Sequence, residues 1–284
     1  MSKDLKHFTN LFIYWFSGVF RLRTETSKYV AAFQRVGTVY EESLTLLNGY
    51  ADCEDWSFVK KKVVRENLLK KGASTWAENI LRTVKNRFLV DSELLPNVKE
   101  ISKFVSVDIP KSSKVQALYQ YVCESDPLVD RLVIELVRPL VMRYGACRLT
   151  KQMYDEFMKK VAMDHPEIDS WSPVVYETWQ RKFFAFLRHS RIMEKAPSLK
   201  IRKPLVRVEP FTFFLYGLID RGFFGLEAIR SRLWQRYFMS EDDVEYALSS
   251  AQERGWLQHR RMGSIVELTT SYRSLEGWLN GALG

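Results

Sequence analysis

Residues 254–270 read RGWLQHRRMGSIVELTT, and this stretch decides the fold. Gly255 closes a helical pattern, because glycine takes the positive φ found just past a helix end at no steric cost. Two strand-like runs follow, separated by Met262-Gly263-Ser264, a hairpin turn. Two helices followed by a β-hairpin make the winged-helix plan. The first run ends in His259-Arg260-Arg261. A hairpin that only covers a core needs no basic cluster at its tip, whereas one lying along a phosphate backbone does. Arg260 and Arg261 are therefore candidate backbone contacts.

Outward from the hairpin, the chain reads as mostly helical. Apolar periodicity predicts helices at 24–36, 38–48, 55–69, 75–89, 93–104, 112–123, 127–143, 150–163, 173–189, 211–220, 225–238 and 241–254. Thr75 and Glu78 have the spacing of a capping box, and Ser172-Pro173 opens the helix at 173. Residues 191–208 hold two prolines between short β-branched runs and read as an irregular hairpin or a linker. Helix, turn, helix and basic extended segment occur in order at 150–208 and 225–270. Residues 55–90 have the helix pair without obvious strands after it. The expected fold is mainly α, with helix-turn-helix or winged-helix-like modules and short β-hairpin wings. Three domains are expected: 1–108 with its helix pair at 55–89, 109–208, and 209–284.

The 284 residues carry a net charge of +9, and 46% are hydrophobic, enough for a sizeable core. Such a balance suggests an anionic partner, most often nucleic acid. Residues 56–90 hold nine Lys or Arg against Glu66 and Glu78. In the helix at 75–89, Ala77, Ile80, Leu81, Val84 and Phe88 form the buried stripe. Asn79, Arg82, Lys85, Asn86 and Arg87 lie elsewhere on it. Arg and Asn can pair with guanine and adenine edges. Lys60, Lys61, Lys62, Lys70 and Lys71 crowd the preceding helix and turn. Residues 174–207 repeat the pattern, with nine basic residues against Glu177 and Glu194. There Tyr176, Trp179, Phe183, Phe186 and Leu187 face the core. Arg181, Lys182 and Arg188 lie away from it, and Lys200, Arg202 and Lys203 follow on the extended segment. The third module differs: its second helix opens Ser240-Glu241-Asp242-Asp243, acids that suit a helix dipole and repel a groove. Backbone contact by its hairpin is compatible with this, base reading is not. The other reading of every one of these residues is a solvated basic face.

Catalytic patterns are missing from the sequence. It has no GxxxxGK[ST] or GxGxxG loop, no HExxH and no GxSxG elbow. Carboxylates cluster at Glu41-Glu42, Glu54-Asp55 and Glu241–Asp243, where capping accounts for them. His165 sits in DHPE as a turn residue. Cys53, Cys123 and Cys147 have neither metal nor disulfide spacing, so a reduced cytoplasmic setting is expected, without cofactor. The apolar run Leu11–Phe20 is ten residues long, whereas a bilayer span needs about 20, so no membrane partner is expected.

The run WSFVKKKVVRENLLKKGASTWAENILRTVKNRF (Trp56–Phe88) resembles the BrxA family of BREX bacteriophage-exclusion systems. Val64–Leu69, the basic turn from Lys70 and the basic end Arg82–Arg87 carry the match. The runs beginning DPLVDRLVIELVRPL and TWQRKFFAFLRHSRIM are also similar, so the resemblance spans roughly residues 20–210. Ala73-Ser74-Thr75-Trp76 stand where a member would carry basic residues after the turn. The resemblance implies a cytoplasmic, non-enzymatic helical protein that binds double-stranded DNA beside other BREX components. An RNA-binding helical protein and a scaffold docking acidic partners are the alternatives.

Overall fold

The computed structural model describes residues 28–69, 74–263 and 265–284. The apolar run at 11–20, the first part of the helix expected at 24–36, and the basic turn Lys70-Lys71 lie outside them. Among the described residues the fold is mainly α with two short antiparallel strand pairs, as the patterning predicts. No described helix is long and apolar enough to cross a membrane.

Five helices form the first part: α1 (Phe33–Val36), α2 (Tyr40–Cys53), α3 (Trp56–Glu66), α4 (Ser74–Phe88) and α5 (Val98–Ser106). Asp55 caps α3 by accepting from Ser57 N, and Asn97 with Glu100 forms a capping box on α5. α4 already starts at Ser74, so Thr75 lies inside its first turn.

α6 (Lys111–Ser125) leads to a long interrupted helix. Asp126 caps α7 (Pro127–Arg131), Leu132–Val137 widen into a π turn, and α8 (Arg138–Tyr144) completes it. The sequence predicts one uninterrupted helix here. Pro139 is the reason for the difference: it has no N–H for the carbonyl four residues back and crowds it, and a π turn relieves both. β1 (Ala146–Arg148), α9 (Lys151–Asp164), α10 (Pro173–His189) and β2 (Lys200–Arg202) follow. β1 pairs with β2, and Met193 bridges to Ile201 on β2's other side.

The last part holds α11 (Val208–Asp220), α12 (Gly225–Ile229), α13 (Arg232–Arg236) and α14 (Glu241–Glu253). Strands β3 (Leu257–Met262) and β4 (Ile265–Thr270) form the hairpin, with Gly263 at φ +60° in its turn, and α15 (Leu275–Ala282) ends the chain. The helix expected at 225–238 is two short ones, because Ser231 turns the chain and caps α13 by accepting from Leu233 N.

One hydrophobic core runs from Phe33 to Leu279. α11 lies at its centre, with every residue from Glu209 to Leu218 buried. Gly217 lets Pro96 approach, since an added Cβ would sit 2.7 Å from the proline ring. Packing crosses both expected domain boundaries. Tyr119 on α6 stacks on Phe186 of α10 and Tyr237, with ring centroids 5.3 and 5.7 Å away. A buried ionic cluster ties α13 to α6 and α7: Arg236 reaches Asp130 and Glu124 at 2.7 Å each, and Arg232 reaches Asp130 at 2.8 Å. Burial disfavours the charged form of Asp130, but the two arginines outweigh it and hold its carboxyl below the ordinary aspartate value.

Candidate nucleic-acid interface

Residues 146–202 build a helix-turn-helix flanked by a strand pair. Ser172 caps α10 by accepting from Val175 N, and Tyr176 and Gln180 donate to Asp155 of α9 at 2.9 and 3.2 Å, fixing the two helices together. Trp179, Phe183, Phe186 and Leu187 are buried. That leaves Glu177 and Arg181 on the exposed side, where Arg181 donates to Thr178 Oγ1 at 3.0 Å. Lys182 is half-buried, its stem laid against Gly37. Arg188 is also half-buried and donates to Ser198 O at 3.4 Å, bracing the loop before β2.

The strand pair adds a feature the sequence does not reveal. Arg148 lies directly opposite Lys200, and Ala146 opposite Arg202, with Arg148, Lys200 and Arg202 all exposed. Like charges directly opposite on paired strands repel. Lys200 approaches Glu194 only to 3.9 Å. A surface built this way favours an anion, which relieves the repulsion. Lys151, Lys159 and Lys160 on α9 are exposed as well. The sequence reading missed Arg148 because a three-residue strand leaves no periodicity to detect; the basic composition of β2 was the only signal.

α4 divides differently from expectation. Ile80, Leu81, Val84 and Phe88 are buried as the stripe requires. Lys85 and Asn86 are exposed, and exposed Arg82 donates to half-buried Asn79 at 2.6 Å, so the two base-reading candidates hold each other. Arg87 is not on the surface. It is buried, donates to Gly37 O at 2.6 Å and Thr38 O at 2.8 Å, and lies over the Phe33 ring. Its position three residues after Val84 and seven after Ile80 puts it at the edge of the buried stripe, where α1 covers it. On α3, Lys60 and Lys61 are exposed, whereas Lys62 is half-buried beside the Phe58 ring.

The hairpin corrects the reading of its own basic tip. Arg261 donates to Glu245 at 2.7 Å and Glu241 at 3.2 Å, and His259 lies 3.0 Å from Glu245. The basic cluster folds back on the acidic helix α14. Arg261, then Arg230, holds the Glu241 carboxyl below its ordinary value. Lys203 pairs with Asp243 of the same helix. Arg261 and Lys203 thus serve α14 rather than a free surface. Arg260 is exposed and stands across the hairpin from Glu267.

A family model for BrxA matches residues 27–214. The chain belongs to the BrxA family. The BrxA match includes α3, α4 and the whole of the 146–202 module, and it ends within α11, before α14 and the hairpin. Family membership supports association with a BREX system. A crystal structure of an uncharacterized protein from Magnetospirillum magneticum has the same fold over 69% of this chain and 96% of its own, with a TM-score of 0.55 and 11% identity. No curated protein matches this BrxA-family chain.

Proposed function

We propose that this BrxA-family protein is a non-enzymatic, cytoplasmic accessory factor of phage defence that binds double-stranded DNA, chiefly through its phosphates. The observation that carries the reading is the 146–202 module. Its order is that of a winged helix: α8, β1, α9, α10, the bridge at Met193 and then β2. Its exposed rim sets Arg148 against Lys200 beside Arg202 and Arg181. In such modules the second helix enters the major groove and the strands follow the backbone. On α10 this leaves few base-reading groups, Thr178 and Arg181 foremost, so sequence preference is weak and phosphate contact dominates. Lys60, Lys61, Arg82, Lys85 and Asn86 supply a second basic surface.

The test is Arg82→Ala combined with Arg181→Ala. Both residues are exposed, so the fold persists while duplex affinity falls several-fold. Unchanged affinity in a folded double variant rejects the reading. Structured RNA is the alternative ligand, because a strand pair beside a basic helix suits an A-form backbone too, and direct competition separates the two.

A further inference from the structure

α14 bears five acids and no Lys or Arg, in a chain of net charge +9. Asp243 and Glu245 turn sideways into pairs with Lys203 and Arg261. What remains toward solvent is one line along the helix: Asp242, Tyr246, Ser249 and Glu253, with Tyr246 74% exposed. Beside that line lies a groove of about 310 Å³ between α14 and residues 203–208, floored by Met239 and Ala247. Leu205 stands at it with 86% of its surface exposed. An acidic ridge with an apolar groove at its side fits a basic partner that also carries apolar side chains.

The chain itself contains that surface. α3 holds four basic residues against one acid. Helical spacing puts Lys60, Lys61 and Arg65 on one exposed face with Val64 and Phe58, which are 68% and 50% exposed. α3 belongs to the first part of the fold and α14 to the last. We infer that α3 of one copy docks on the α14 ridge and the Leu205 groove of a second copy. Opposite charge selects the pairing, and Phe58 and Val64 meeting Tyr246 and Leu205 give it an apolar centre. The two faces are different patches, so the contact is heterologous and propagates from copy to copy.

The experiment is sedimentation velocity of the full chain without DNA, over a concentration series at low and high salt. The expected result is concentration-dependent association that weakens with salt. Asp242→Lys with Glu253→Lys weakens it at least about tenfold, as does Lys61→Glu with Arg65→Glu, because each puts like charges face to face. Mixing the two charge-reversed variants restores pairing. A monomer at every concentration in low salt overturns the inference, as does association that ignores both reversals. Because no nucleic acid is present, either result leaves the duplex-binding reading to its own test.

Discussion

Arg261 Nη1 lies 2.7 Å from Glu245 Oε1, closing the hairpin tip onto the helix in front of it. This pair reverses the role that charge alone suggests for the tip. Arg261→Ala is therefore expected to leave duplex affinity unchanged. It unbalances α14 instead, making the hairpin amides of 257–262 exchange hydrogen faster. Duplex affinity that drops on this substitution, with exchange unaltered, counts against the pairing as its role.

Arg87 and Lys85 are two residues apart on α4 and behave oppositely. Arg87→Ala strips the buried carbonyls of Gly37 and Thr38 of their donor and costs roughly 2–3 kcal/mol of folding stability. Lys85→Ala leaves stability nearly unchanged and lowers duplex affinity modestly. Urea unfolding and DNA titration on both variants check this; a crossed pattern, with Lys85→Ala the destabilised one, fails it.

The ionic cluster at α13 gives the largest expected effect. Arg236→Met leaves Asp130 and Glu124 facing each other without their buried partner. Removing one member of a buried charged set costs about 3–5 kcal/mol. Denaturant unfolding measures it, and a loss comparable with that of a surface arginine shows that water or relaxation replaces the pair.

His189 gives the joint between α1 and α10 a pH dependence. Its Nδ1 is 2.8 Å from Thr38 Oγ1. Burial first, then Lys182 and Arg188, lowers its pKa from the ordinary histidine value. The folded state therefore holds fewer protons than the unfolded one. Stability from this group is complete above about pH 6.5 and declines as the pH falls below it. His189→Gln should flatten that decline in the difference between variant and wild-type stability across the range. Parallel curves for the two proteins exclude it.

Much of this was legible in the sequence. The stripes on α4 and α10, the Ser172 and Ser240 caps and the final hairpin follow from local spacing, which is where side-chain periodicity and capping act. What local spacing misses is long-range. β1 is three residues long and exists only because β2, more than fifty positions on, pairs with it. Arg87 reads as a surface cation until α1 covers it. The acidic helix and the basic hairpin tip were both visible, yet 16 residues separate Glu245 from Arg261 and only the fold brings them together. Pro139 marked the π turn, but a helical pattern on both sides of it masked the signal.

The most direct measurement is fluorescence anisotropy of the protein against a duplex DNA, its single strand and a hairpin RNA, each across a salt series. Duplex is expected to bind tightest. If about six to eight phosphates are neutralised, log K should fall with log salt at a slope of about −5 to −7. No binding to any of the three at low salt, or tightest binding to the RNA, would reject duplex DNA as the ligand of the 146–202 module.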